Sequence, residues 1–274
     1  ARANWKDGFA AFGVNLGRNK VSTDDARWLL FQLGTSFSLL VLFFIVINRS
    51  LNHYISARVD YEIGINHFAP YCDYLVINIS SPNTPGLRSM QRRADLEQLL
   101  LHTKYVLDHM KLETPPKMLL KIAPDLIDSE KKDIAKVVLN PKYGIDGLIV
   151  SNTTISRPAS LVSDKRAESG GLSGAPLRQM STECVREMYK YTKGQIPIVG
   201  CGVLLRSSSP WVSSHRKSKL HDSLVLSLMF DFLCASYLFS RGFFQIKREL
   251  AELLIRDGFT NVSEAVGADH RVKR

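Results

Sequence analysis

The order in which short apolar segments, polar loops and amphipathic segments follow one another most constrains the fold of this chain. Apolar runs predict strands over residues 12–16, 74–79, 118–122, 146–150 and 196–199. Each run ends in polar or glycine-rich residues, and a helical pattern follows. Alternating strands and helices are typical of a parallel sheet, so the sequence predicts a TIM-type barrel or an open doubly wound sheet. A Rossmann sheet is the poorer choice because no strand is followed by a GxGxxG turn that opens a helix.

Helical patterns fill the intervals that follow the predicted strands. We expect helices over residues 60–67, 93–111, 128–139, 176–192 and 245–256. The clearest is 93–111, where apolar residues recur at three- and four-residue spacing. Asp128 is placed to cap the next helix, and Pro176 suits a first helical turn. Gly258 is a stop signal for the last helix.

A long apolar segment interrupts this order early in the chain. Residues 28–47 carry no charge, and as a helix they would extend about 30 Å, which is enough to cross a bilayer. Three interpretations stay open: a membrane span, a buried core helix, or a segment outside the fold. The apolar residues form no stripe of helical period, and residues 43–47 are more typical of a strand.

The charge and the cysteines exclude some classes of function. The formal net charge is +10, but the basic residues are mostly scattered and aromatic residues do not alternate with them. We therefore expect no nucleic-acid partner.

The four cysteines form no CxxC pair and have no histidine at metal-ligand spacing, so neither a disulfide framework nor a metal site is expected. A reducing compartment is the simpler assumption.

The loop after the second predicted strand is rich in uncharged hydrogen-bonding side chains. Five of them fall within seven positions: Asn78, Ser80, Ser81, Asn83 and Thr84. Two prolines among them stiffen the loop. An ordinary turn explains such a composition. The alternative is a site for a flat, heteroatom-rich ligand, because asparagine supplies both a donor and an acceptor.

The other strand ends add a lysine, further amides and glycines. Lys121 lies inside an apolar strand, where burying a cation costs free energy unless an anion pairs with it. The alternatives are a lysine that snorkels to the surface and one that forms an internal ion pair. The remaining candidates at strand ends are Asn15, Ser151, Asn152, Thr153 and the glycines at 170, 171, 174, 200 and 202. Glycine-rich strand ends suit a phosphate group. No Ser-His-Asp set, carboxylate pair or HExxH motif is present, which favours chemistry done by a cofactor over hydrolysis.

Several of these stretches together resemble the class 2, quinone-dependent dihydroorotate dehydrogenases. The stretches that carry the resemblance are residues 12–20, 73–88, 120–126, 146–158, 168–177, 196–202 and 265–271. The resemblance covers about residues 9–26, 58–202 and 244–271. It implies an FMN-containing (β/α)8 TIM-type barrel that oxidises dihydroorotate to orotate in pyrimidine biosynthesis and passes the electrons to ubiquinone.

The resemblance also assigns roles to individual residues. Ser81 matches the catalytic base, which takes a proton from C5 of dihydroorotate while hydride leaves C6 for the flavin. A hydroxyl is a poor base, so Ser81 needs a proton relay through Thr84 or a water molecule. Positions that match substrate contacts are Asn78, Asn83, Asn152 and Thr153. Positions that match FMN contacts are Asn15, Asn78, Lys121, Ser151, Ser173, Gly174 and Gly202. Lys121 would balance the negative charge of the reduced flavin.

The chain departs from the family pattern in three places. Family strands 3–7 are recognisable, whereas strands 1–2, the membrane anchor and the helices of the quinone tunnel are expected to precede residue 1. Residues 27–57 are expected to be an apolar insertion, and residues 203–243, where strand 8 belongs, do not match. We expect one FMN-binding domain over residues 1–274, from a protein of the mitochondrial inner membrane. The alternatives are an inactive barrel fragment from a misassembled gene model and a single-span membrane protein through residues 28–47.

Overall fold

A computed structural model describes residues 13–18, 42–47, 55–84, 86–201, 248 and 250–271. Six strands form one sheet: β1 (Gly13–Arg18), β2 (Leu42–Ile47), β3 (Tyr74–Asn78), β4 (Lys117–Ile122), β5 (Gly147–Val150) and β6 (Ile198–Gly200). The strand order is β2-β1-β3-β4-β5-β6, and every pairing is parallel. The parallel arrangement that the sequence predicts is therefore confirmed, with strand boundaries shifted by one or two residues.

The helices lie between the strands along the chain. They are α1 (Ile55–Phe68), α2 (Arg93–His109), α3 (Asp128–Val138), α4 (Arg178–Thr192) and the short α5 (Val262–Ala265). Residues 250–256 are also helical. Short 3₁₀ helices occur at Ala69–Tyr71, Arg88–Gln91, Pro141–Tyr143, Ala175–Leu177 and Ala268–His270. Consecutive helices from α1 to α4 pack side by side, as expected where crossovers run along one face of a parallel sheet.

Strand β2 comes from the apolar segment that interrupts the sequence pattern. It pairs with β1 along its whole length, from Gly13 opposite Leu42 to Arg18 opposite Ile47. The strand character expected of residues 43–47 is thus confirmed, and aromatic and β-branched residues favour it. The interpretations that make this segment a helix or place it outside the fold are wrong for these six residues. Residues 19–41, 48–54 and 202–247 lie outside the described residues, and with them most of both non-family segments.

No helix among the residues that the structure describes combines the length and the apolarity that a bilayer crossing needs.

The two faces of the sheet differ in what they bury. Because side chains alternate along a strand, one face carries the apolar residues that pack against the helices, among them Leu16, Leu75, Ile77, Leu120 and Leu148. Burying each such leucine contributes about 1.5–3 kcal/mol. The other face, called the inner face below, carries Asn15, Val76, Asn78, Lys121 and Ile149. The inner face therefore carries the polar side chains Asn15, Asn78 and Lys121, and Asn15 and Lys121 are buried there.

Candidate functional site

Polar residues of the inner face meet at the carboxyl ends of β3 and β4. Asn78, the last residue of β3, lies directly opposite Lys121 of β4. Gly17 of β1 lies opposite Asn78 on its other side. Lys121 is only 4% exposed, so the snorkelling interpretation of this lysine is wrong. A buried cation beside an amide provides a place for an anionic or electron-accepting group.

A hydrogen-bonded network joins the loop after β3 to the loop after β5. The Oδ1 atom of Asn78 accepts hydrogen bonds from the Ser80 hydroxyl at 2.9 Å, the Ser80 backbone N–H at 3.2 Å and Asn152 Nδ2 at 3.3 Å. Asn152 Nδ2 also donates to Ser80 Oγ at 2.9 Å, and Asn152 Oδ1 accepts from the Thr153 backbone N–H at 2.8 Å. Three of the four predicted substrate residues, Asn78, Asn152 and Thr153, are thus brought together.

The fourth, Asn83, lies with Ser81 in the loop after β3. The Asn83 backbone N–H donates to Ser81 Oγ at 3.3 Å. Ser81 is half-buried, and Thr84, the predicted relay, is buried. A Cβ atom on Gly170 would lie 3.2 Å from Asn83 Oδ1, so the long loop after β5 reaches over this loop.

Arg88 ties the ends of three strands together, and sequence reasoning missed it. Its Nε donates to the Ser80 carbonyl at 3.0 Å, and its two terminal nitrogens donate to Asp125 Oδ2 at 2.7 Å and to the Thr153 carbonyl at 2.8 Å. These partners follow β3, β4 and β5 in turn. The planar guanidinium fork suits this role because it directs several donors in fixed directions.

Asp125 extends the same connection, and it too was missed. Its carboxylate accepts from the hydroxyls of Thr154 and Ser156 and from the Ile155 backbone N–H. The signal that could have found it is a single carboxylate in a strand-end loop, directly after Pro124. Sequence alone did not show that Arg88, 37 positions away, would form an ion pair with Asp125.

Asn15 presents a buried amide on the inner face of the sheet. It lies on the inner face in β1 and is 2% exposed, and within the part of the chain that the structure describes both polar atoms of its side chain are buried without a hydrogen bond. Leaving such a group unsatisfied costs about 1–3 kcal/mol. An amide that presents one donor and one acceptor fits the edge of a heteroatom-rich ring, so the residues present agree with the predicted cofactor.

The other predicted cofactor residues lie around the end of β5 and the start of α4. Ser151 is 2% exposed, and its single hydroxyl hydrogen has two acceptors within reach, the Asn152 carbonyl at 3.0 Å and Ser181 Oγ at 3.3 Å. Ser173 is exposed and Gly174, with φ of 82°, precedes the 3₁₀ turn that leads into α4. An antiparallel bridge between Thr154 and Leu172 holds this loop near the end of β5. Gly202 lies outside the described residues.

Cys184 in α4 does not compete with Ser81 as a reactive group. Burial raises the pKa of its thiol to about 12, and the nearby Lys131 ammonium opposes this only in part. A thiol with that pKa stays protonated near neutral pH, so it is neither a nucleophile nor a base there.

Replacing Gly171 by alanine is expected to displace the loop after β5. A Cβ atom at Gly171 would lie 1.9 Å from Thr153 Oγ1 and 3.1 Å from Pro82 Cγ. Thr153 Cβ would also lie 2.6 Å away, so rotation of the threonine hydroxyl would not relieve the overlap, and Arg88 holds the Thr153 carbonyl. We expect the free energy of unfolding to fall by about 1–3 kcal/mol, as in other overpacked sites, when measured by chemical denaturation.

A matched control separates this overlap from backbone strain. Gly258 has φ of 81° and no described atom within 4 Å of its added Cβ, so Gly258→Ala measures strain without overlap. That strain costs about 1–2 kcal/mol. A Gly171→Ala variant as stable as the original chain would show that Thr153 is not confined.

Comparisons with known proteins identify the family of this chain. The family model for dihydroorotate dehydrogenase matches residues 13–207. The quinone-dependent dihydroorotate dehydrogenase of Rhodospirillum rubrum is 40% identical over 259 residues, covering 94% of this chain and 59% of the relative. The mitochondrial quinone-dependent enzymes of Mus musculus and Arabidopsis thaliana are 39% and 40% identical, with 94% and 97% of this chain and 55% and 49% of the relatives covered. The chain therefore spans about half to three fifths of the length of these relatives.

Solved structures give the same result. The dihydroorotate dehydrogenase of Eimeria tenella in complex with ferulenol superposes with a TM-score of 0.71 at 34% identity, covering 86% of this chain and 63% of that one. Its ligand-free form gives a TM-score of 0.70 at 36% identity, covering 85% and 66%. Together with the parallel sheet, these neighbours support the TIM-type β/α fold that the sequence predicts.

Proposed function

We propose that this chain, which belongs to the dihydroorotate dehydrogenase family, binds FMN and oxidises dihydroorotate to orotate, with a quinone as the electron acceptor. The observation that carries the proposal is the group formed by Asn78, Lys121 and Asn152 at adjacent strand ends. These side chains offer a cation and amide donors on one face, which suits a substrate with a carboxylate and ring carbonyls.

In this proposal the FMN is held by residues around the inner face. Asn15, whose amide has no partner among the described residues, would contact the flavin ring, and the charge of the buried Lys121 would offset negative charge on the ring. Asn78, Ser151, Ser173 and Gly174 would provide further contacts, and Gly202, outside the described residues, is assigned by resemblance alone. Bound FMN supplies the hydride acceptor and a route for the two electrons to the quinone.

The chain's own residues bind the substrate and move one proton. Asn78, Asn83, Asn152 and Thr153 orient dihydroorotate, and Ser81 removes the proton from C5. Because the pKa of an ordinary hydroxyl is far above neutral, this step needs a relay that takes the serine proton onward. Thr84, three residues further along the same loop, is the candidate for that relay.

The relatives bear on the cellular setting. Those of Mus musculus, Arabidopsis thaliana and Oryza sativa are named mitochondrial, and bacterial relatives are equally similar. The mitochondrial names support a mitochondrial location in this proposal. The inner membrane, the role in pyrimidine biosynthesis and ubiquinone as the acceptor rest on the family resemblance.

The visible spectrum of the purified chain tests the proposed function. We expect a yellow protein with about one FMN per chain, whose flavin absorbance is bleached by dihydroorotate without oxygen and restored by a quinone. A colourless protein that does not take up added FMN would support the inactive-fragment alternative. A flavin-loaded protein that dihydroorotate leaves unbleached would also contradict the proposal.

A further inference from the structure

We propose that Ser80 is a positioning residue that fixes the direction of the Asn78 and Asn152 side-chain amides, so that Asn78 acts only as a hydrogen-bond donor toward the ligand. The identity of that ligand rests on the proposed function. Ser80 is fully buried, and its hydroxyl lies between the two amides. Bulk water therefore cannot replace the hydroxyl without a change in the surrounding loops.

The direction of the Asn78 amide follows from a backbone contact. The Ser80 backbone N–H lies 3.2 Å from one end of that amide. A backbone N–H can only donate, so the atom that faces it is the oxygen. The nitrogen of Asn78 therefore points away from the network.

The direction of the Asn152 amide follows in the same way. The Thr153 backbone N–H lies 2.8 Å from Asn152 Oδ1, which fixes that end as the acceptor. The Asn152 nitrogen must then donate to Ser80 Oγ at 2.9 Å and to Asn78 Oδ1 at 3.3 Å. The Ser80 hydroxyl, which accepts from Asn152, has its own hydrogen left for Asn78 Oδ1 at 2.9 Å.

This single direction of donation determines what Asn78 can bind. The Oδ1 atom of Asn78 already accepts three hydrogen bonds. Its Nδ2 atom lies 4.0 Å from the position that a Cβ atom on Gly17 would take, beside strand β1. The two N–H groups of Asn78 are therefore presented on the inner face. They match a carboxylate or carbonyl oxygen and reject a ligand that offers an N–H group at that point.

Removing the hydroxyl tests the role of Ser80 in ligand binding. In the flavin-loaded chain, Ser80→Ala should raise the dissociation constant of orotate and the KM of dihydroorotate by about tenfold or more, since two hydrogen bonds between the amides are lost. We expect a smaller change in kcat, and each affinity is expressed per bound FMN because Asn78 is also a predicted FMN contact. Ser80→Thr, which keeps a hydroxyl, should restore affinity, and Ser80→Cys is the second choice if threonine does not fold.

Ser89→Ala is the matched control. Ser89 lies in the following 3₁₀ turn, is not fully buried, and donates its hydroxyl only to the Gly86 carbonyl. This variant should bind orotate as the original chain does. Unchanged orotate affinity in Ser80→Ala, or an equal loss in Ser89→Ala, would overturn the proposal.

Side-chain amide NMR tests the network without any enzyme activity. In the original chain the Asn152 amide protons should exchange slowly with solvent, and in Ser80→Ala they should exchange faster. The Asn78 amide protons should become protected when orotate is added. If dihydroorotate does not reduce the flavin but Asn152 is protected, the proposed function fails and the positioning role stands. Asn152 protons that exchange as fast as those of an exposed asparagine would overturn the positioning role itself.

Discussion

Replacing Ser81 by alanine is expected to lower kcat for dihydroorotate oxidation by about 10²- to 10⁴-fold, the range typical of removing a general base. FMN content and orotate affinity should change little, because the Ser81 hydroxyl accepts one long hydrogen bond from Asn83 and takes no part in the Asn78 network. Steady-state kinetics, together with single-turnover bleaching of the flavin, separates the loss of proton removal from any loss of substrate binding.

A second variant and a matched control sharpen this test. Ser81→Cys should retain part of the activity, and its kcat should rise with pH. A thiol with a pKa near 8.5 becomes a better base as it ionises. Ser163→Ala removes a hydroxyl with the same local geometry, because Ser163 Oγ accepts from the backbone N–H two residues on, at 3.2 Å, as Ser81 Oγ does. It lies in an exposed loop and should leave kcat unchanged. Full activity in Ser81→Ala would contradict the assignment of Ser81 as the catalytic base.

Most of the fold could be predicted from local sequence. Short apolar runs that end in polar loops determine parallel strands, because each strand must be buried on both sides and return through a helix. The same reasoning predicts that Asn78 and Lys121 lie close together, since the carboxyl ends of parallel strands meet at one edge. It also identifies residues 43–47 as strand-like from their aromatic and β-branched composition.

The pairing partners could not be predicted from local sequence. A strand pattern does not show which strand it joins, so the position of β2 beside β1 depends on tertiary contacts. The contacts of Arg88 and Asp125 span 37 residues and depend on loop conformations that no periodicity encodes. The direction of the Asn152 amide is likewise set by a backbone N–H, which every non-proline residue carries and which therefore leaves no sequence signal.

Breaking the Arg88–Asp125 ion pair is expected to cost both stability and substrate affinity. The two side chains are 20% and 15% exposed, so removing one leaves the other charge largely buried. Breaking a fully buried ion pair typically lowers the free energy of unfolding by about 3–5 kcal/mol. Because this pair is partly exposed, we expect a smaller decrease of about 2–3 kcal/mol for Asp125→Ala. The KM for dihydroorotate should rise as well, because Arg88 holds the Ser80 and Thr153 carbonyls on either side of the amide network.

A double-mutant cycle distinguishes this coupling from general damage. Chemical denaturation gives the loss in free energy of unfolding for Arg88→Ala, for Asp125→Ala and for the double variant. The sum of the two single losses should exceed the loss in the double variant by about 1 kcal/mol or more. The exposed Lys104–Asp108 pair of α2 serves as the control, and its cycle should give at most about 0.5 kcal/mol. Arg88→Lys should retain the charge but not the three-way contact, since one ammonium cannot reproduce the directions of the guanidinium fork. Additive losses in the Arg88–Asp125 cycle, or an unchanged KM in Arg88→Lys, would mean that the three loops hold their positions without this ion pair.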